Sequence, residues 1–212
     1  MRGTTHLAIG VGIGVIASAY YPFTATAAAL YIGTAAFSAL SADLDGPSML
    51  SSKIGKVSKL LRNVMLWAGI LLAAFTAGLY AVKGVFSLEL TAASAVVLLI
   101  GFITKQGFIR NALVSAIGAG LVYAGWSLGK SWLIGLGVFI VWAPWLSHRG
   151  LTHTLWAVLA WGWIGTELEK DIGLEGIANA AIAGYVSHLL ADTLTTNGVK
   201  WLYPFYKKSF KL

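Results

Sequence analysis

The sequence predicts an all-α integral membrane protein, a bundle of about eight transmembrane helices with one interfacial amphipathic helix. Three observations predict it. Of the 212 residues, 58% are hydrophobic and only 11% charged, whereas a soluble domain carries roughly 25% charged and roughly 45–50% apolar residues. The charges gather in short segments separating apolar runs of about the 17–25 residues that one span requires. The 25 glycines and nine tryptophans suit membrane helices, which tolerate glycine and place tryptophan at the interfaces. The whole chain, residues 1–212, therefore reads as a single polytopic membrane domain.

The elements follow from the breaks. The first charge-free run extends from Gly3 to Ala42, and Tyr20-Tyr21-Pro22 divides it into helices over 5–20 and 24–42. Residues 48–62 then place Ile54, Val57, Leu60 and Leu61 opposite Lys53, Lys56, Lys59 and Arg62 at helical spacing, the pattern of a helix lying in the headgroup layer. That segment reads first as a charged surface anchor and second as a recruiter of anionic headgroups. Further spans are predicted over 63–82, 88–104, 110–128, 131–146, 152–166 and 176–194, with a short basic tail over 197–212. Gly10 with Gly14, and Gly125 with Gly129, have the small-xxx-small spacing of closely packed membrane helices.

Eight spans with a cytoplasmic amino terminus put twelve of the fifteen basic residues inside, leaving Lys83, Lys130 and Lys170 outside. Glu89, Glu167, Glu169, Asp171 and Glu175 also fall outside. That split obeys the positive-inside rule and makes both termini cytoplasmic. A rival reading treats 1–27 as a cleaved signal peptide ending in Ala25-Thr26-Ala27. It is disfavoured because it discards a histidine and moves the basic 53–62 segment outside. The net charge of +7 is accounted for by the same rule, and no basic face is large enough to follow a nucleic-acid backbone. No cysteine is present, which excludes disulfides and thiolate metal sites.

On this topology the ionisable residues converge. His6 opens the first helix, Asp43 and Asp45 close the second, and His148, Arg149 and His153 lie in the turn before the seventh. His188 and Asp192 lie one turn apart near the end of the eighth, so they share a face. All four histidines and three of the eight acidic residues thus occupy one membrane face. Carboxylates at helix carboxyl ends oppose the macrodipole, and charges at membrane depth are costly unless paired. Arg149 offsets only part of three negative charges, and a divalent cation would offset the rest. Nitrogen and carboxylate ligands without sulfur suit zinc, and also manganese or iron. Seven candidates exceed one tetrahedral shell, which predicts either two ions or a division between direct ligands and supporting groups. Gly150 is expected to form the tight turn, with Thr152 as the cap of the seventh helix.

These same residues carry a resemblance. T-T-H-L-A-I-G with His6, A-D-L-D-G-P with Asp43 and Asp45, S-H-R-G-L-T-H, and G-Y-V-S-H-L-L-A-D-T-L-T-T-N-G together resemble the YdjM-like family of LexA-regulated, membrane-bound, predicted metal-dependent hydrolases. The resemblance spans nearly the whole chain and implies hydrolysis at a metal centre. The ligands are then drawn from His6, Asp43, Asp45, His148, His153, His188 and Asp192. Asp43 is a ligand or the general base, and Arg149 stabilises an anionic transition state. A site at headgroup depth makes membrane lipids the surroundings and a lipid-like substrate the partner, a phospholipid or polyprenyl-phosphate ester first. Two alternatives stand beside this: a divalent-cation or proton-coupled transporter, and a non-catalytic protein with a structural metal.

Overall fold

The computed structural model describes Met1–Lys211. Eight α-helices account for most of it: α1 (Gly3–Tyr20), α2 (Ala25–Ser41), α3 (Ser52–Lys83), α4 (Leu88–Ile103), α5 (Gln106–Leu128), α6 (Ser131–Trp142), α7 (Leu155–Ile172) and α8 (Ile177–Thr193). Each predicted span matches one helix. Four apolar segments, Gly3–Tyr20, Ala25–Asp45, Ser52–Lys83 and Gln106–Leu128, are long and apolar enough to cross a membrane. Leu88–Ile103 and Ser131–Trp145 are apolar but shorter. Glu167, Glu169, Lys170 and Asp171 charge the last turns of α7, and His188 and Asp192 make α8 polar at one end. Length and composition therefore bear out four of the eight expected crossings.

The backbone forms two compact units, Ser52–Leu113 and the remainder. In Ser52–Leu113, α3 runs unbroken for 32 residues, about 48 Å at 1.5 Å per residue. The amphipathic segment is therefore not a separate interfacial helix but the first turns of a helix longer than the roughly 30 Å hydrocarbon layer. The residues around 62–64 explain the continuity: Arg62, Asn63 and Val64 offer no proline or glycine to stop propagation. These first turns are fastened from the side. Ser58 donates to the Gln106 carbonyl at 2.6 Å, Arg62 Nε to the Thr104 carbonyl at 3.2 Å, and Gln106 Nε2 to the Gly55 carbonyl at 3.2 Å.

In the other unit α8 packs against α1, α2 and α7, and α6 packs against α7. Small residues set these distances. A Cβ on Gly14 would stand 2.3 Å from the Ile32 Cα, and one on Gly10 would stand 2.8 Å from the Ala36 Cα. The predicted close approach of the first two helices is thus present. The second glycine pair divides: Gly125 meets Ile134 of α6, whereas Gly129 has φ +66° and open space around it. Gly129 follows the end of α5 as a left-handed carboxyl-terminal residue, so it turns the chain rather than packing it. Substituting Gly14 by alanine is expected to lower stability by about 1–3 kcal/mol, the cost of overpacking a filled contact. Gly12→Ala, which meets nothing within 4 Å, should leave the melting temperature in detergent unchanged or raised.

The basic tail folds back on its own unit. Val199 and Phe210 form an antiparallel bridge, Val199 is fully buried, and the Trp201 carbonyl accepts the backbone N–H of Leu155 at 2.9 Å. One otherwise unsatisfied donor at the start of α7 is met in this way.

Candidate metal centre

The second helix cannot continue through Gly46-Pro47, so it tightens into a 3-10 turn over Ala42–Asp45. That turn points the two aspartates at different partners. Asp43 faces the Nε2 atoms of His188 and His153, at 3.5 and 3.8 Å. Asp45 faces the Nδ1 side of the other segment: its Oδ1 stands 2.7 Å from His148 Nδ1. Its Oδ2 accepts the Arg149 backbone N–H at 2.9 Å and the Thr152 hydroxyl at 2.6 Å, with His153 Nδ1 at 3.4 Å.

Asp45 thereby shapes the turn before α7. Arg149, not Gly150, takes the left-handed backbone, with φ 58°, a conformation that costs energy for a residue with a Cβ unless neighbours fix it. Its bond to Asp45 does so. Gly150 is needed for room, since a Cβ there would stand 2.6 Å from Ser147 Oγ. Thr152 is not the cap of α7; Thr154 caps it by accepting the Ala157 N–H. Thr152 lies two residues too early and is held instead by Asp45 and by Tyr185, whose hydroxyl donates to the Thr152 carbonyl at 2.6 Å.

Hydrogen bonding fixes the tautomers of the two innermost histidines. His188 Nδ1 lies 2.7 Å from the Ala39 carbonyl, which only accepts, so Nδ1 carries the proton and Nε2 is bare. Thr152 spends its one proton on Asp45, so its oxygen must accept from His153 Nδ1 at 2.9 Å. His153 Nε2 is then bare as well. These two lone pairs face one another at 3.3 Å, with Asp192 Oδ2 at 3.8 Å from one and 3.9 Å from the other. Lone pairs so placed repel unless a cation lies between them.

His6 completes the inner group. It stacks on His188 with centroids 3.8 Å apart, and neither ring nitrogen has a hydrogen-bond partner. Its Nε2 stands 3.4 Å from Asp192 Oδ1. His6, His153, His188 and Asp192 are each no more than 2% exposed, and an orphaned imidazole at that depth is costly. A tetrahedral shell with zinc bonds of roughly 2.0–2.1 Å sets ligand atoms about 3.3–3.4 Å apart. The inner separations of 3.3–3.9 Å therefore fit a small divalent cation. Three overlapping groups have this capacity: His6 with Asp43 and His188, His153 with His188 and Asp192, and Asp43 with Asp45 and His148.

His148 belongs to the rim. Its side chain is 57% exposed, and the hydrogen bond to Asp45 holds its pKa above the usual histidine range, against the opposing effect of partial burial. Arg149 lies against Asp192 Oδ2 at 2.8 Å, and also reaches Thr195 Oγ1 and the Gly198 carbonyl, each at 3.2 Å. The Met1 amino group pairs with Asp192 Oδ1 at 2.7 Å, a second cation that charge counting along the spans overlooks. All eight site positions named by the sequence thus meet in one region. The spacing of ionisable residues could not reveal Thr152, the Ala39 carbonyl or the Met1 amine.

The fold and the cluster define an all-helical membrane protein with a buried histidine–aspartate centre at the ends of its helices. The chain belongs to the YdjM inner membrane protein family, whose profile matches residues 1–212. That family places it in the inner membrane. Neither the curated proteins nor the solved structures yield a match.

Proposed function

We propose that the protein is a metal-dependent hydrolase working at the cytoplasmic headgroup layer on a phospholipid or polyprenyl-phosphate ester. In this reading all eight helices cross the membrane and both termini are cytoplasmic. The observation that carries it is the pair of bare Nε2 atoms of His153 and His188, facing each other among Asp43, Asp192 and the unpartnered His6. Those five residues hold one divalent ion, zinc before manganese or iron. The ion, when bound, supplies Lewis-acid activation of water and of the phosphoryl oxygen.

The chain's own groups do the rest. Asp45 accepts from His148, Thr152 and the Arg149 backbone, so its place is behind the ligands, orienting His148 and His153. Asp43, with 21% of its side chain exposed, is the carboxylate positioned to take a proton from attacking water. Arg149 keeps Asp192 in place, and its fixed positive charge would stabilise the developing negative charge. A lipid substrate is supported on both sides of this layer. The rim opens into a cleft lined by both charged and apolar groups, while behind Thr152 lies an apolar cavity of about 110 Å³ bounded by Phe139, Trp142, Leu146, Leu151 and Trp156.

The test is elemental analysis of the purified protein beside a screen for phosphate release from lipid esters. About one ion per chain is expected, with turnover lost on chelation and restored by zinc. Stoichiometric metal without turnover on any lipid would favour a structural metal. Turnover unchanged after complete removal of metal would refute the reading.

A further inference from the structure

The folded tail builds a groove that the metal centre does not use. Val199 and Phe210 close the loop by exchanging both backbone hydrogen bonds, at 2.9 and 2.8 Å. Trp201 clamps the loop to two helices. Its carbonyl takes the Leu155 N–H at the start of α7, and its Nε1 donates to Thr193 Oγ1 at the end of α8. Thr193, Trp201, Leu202, Phe210 and Lys211 line a cavity of about 460 Å³.

The hydrogen-bonding groups of this lining are spent within the fold. The Thr193 hydroxyl donates to the Leu189 carbonyl at 2.8 Å and accepts from Trp201 Nε1 at 3.0 Å. The carbonyls of Trp201, Leu202 and Phe210 accept the N–H groups of Leu155, Tyr206 and Val199. Leu202 and Phe210 are exposed, and Lys211 is the one charged residue of the lining. Water finds few partners on such walls, whereas a hydrocarbon chain matches them.

Charge and depth select the chain. Lys200, Lys207, Lys208 and Lys211 all follow Asp192, and no acidic residue does. Thr193 ends α8 and Leu155 begins α7, so the groove lies where those helices leave a bilayer that they cross, at the depth of lipid phosphates. An apolar wall with a lysine at that depth suits a lipid of negative headgroup.

We propose that this groove binds one anionic phospholipid of the surrounding membrane, an acyl chain lying against Trp201, Leu202 and Phe210 and the phosphate at Lys211. A zwitterionic lipid offers the same chain, but its own ammonium offsets the attraction to Lys211. The site goes beyond the proposed hydrolysis and shares with that reading only the crossing of the membrane by α7 and α8.

The chain has no cysteine, so a bimane on Ser209→Cys reports one position beside the groove. The full chain is placed in nanodiscs of phosphatidylglycerol and phosphatidylcholine, with a doxyl quencher on the acyl chain of one lipid or the other. Doxyl-phosphatidylglycerol should quench with an apparent affinity about fivefold or more above that of doxyl-phosphatidylcholine, the effect of one lysine near an anionic headgroup. Lys211→Gln should remove that preference, and Leu202→Trp, which fills the groove, should reduce quenching by both lipids. Lys53→Gln, in the other compact unit, should leave the preference unchanged. Equal quenching by the two lipids, or the same preference in Lys211→Gln, overturns the site. An equal loss in Lys53→Gln also overturns it, because the preference is then a diffuse attraction to a basic protein. No quenching by either lipid at residue 209, the result for a groove covered by protein, overturns it as well. A label on Leu159→Cys, exposed on α7, reports the crossing separately: quenching there with none at residue 209 removes the site and leaves the crossing.

Discussion

Replacing His188 by alanine is expected to leave the purified protein with less than about a tenth of the wild-type metal, since one of the five residues that hold the ion is gone. His188 is the member on which the inner group depends most. Its Nε2 lies 3.3–3.9 Å from His153, Asp43 and Asp192, and its ring carries the stack of His6. The substitution also orphans the buried Ala39 carbonyl, which costs about 1–3 kcal/mol. Lower stability alone would therefore prove little. The separating measurement is the response to metal: a ligand that binds only the folded state at 100 times its Kd stabilises by about 2.7 kcal/mol. Wild type should melt lower after chelation and recover with zinc, whereas His188→Ala should melt at one temperature under both conditions. His148→Ala provides the contrast, because that side chain is largely exposed and is hydrogen-bonded to Asp45 rather than turned into the inner group. It should keep the inner ion. Full metal in His188→Ala, or its complete loss in His148→Ala, would move the ion from the inner group to the rim.

Much of this arrangement is legible along the chain because ionisable residues are rare in it. Asp43 with Asp45, Lys83, Lys105 and Lys130 mark where apolar runs end, and a helix boundary lies within a few residues of each. The same scarcity makes four histidines and three aspartates conspicuous. What the pattern does not encode is the choice between two uses of one polar residue. Thr152 and Thr154 both suit a helix cap, and only the position of Asp45 across the fold decides that Thr154 caps while Thr152 bridges. Asp45 and Asp43 look equivalent as ligands until the 3-10 turn points them at opposite nitrogens of His153. The amphipathic stretch of α3 has the periodicity of a surface helix, and periodicity says nothing of whether the next helix continues it. The Met1 amine and the Ala39 carbonyl belong to the backbone, where no spacing of side chains points.

Thr152→Val is expected to weaken metal binding about 10–100-fold, the usual cost of losing a group that orients a ligand, or about 1.4–2.7 kcal/mol. Valine has nearly the same shape, so packing survives, but two functions vanish. The hydroxyl no longer gives Asp45 its 2.6 Å hydrogen bond, and its oxygen no longer accepts from His153 Nδ1 at 2.9 Å. His153 is then free to adopt the other tautomer, which puts a proton on Nε2, where a cation must bind. Thr152→Ser keeps both functions and should restore affinity to within about threefold of wild type. A purely structural role for Thr152 predicts otherwise: both variants would lower the melting temperature of the metal-free protein, and the metal dissociation constant of the folded fraction would not move. The ratio of metal affinities, measured by competition with a chelator on folded protein, therefore distinguishes orientation from packing. If Thr152→Val binds metal as wild type does, Asp45 alone holds His153 in its tautomer, through the 3.4 Å contact between them.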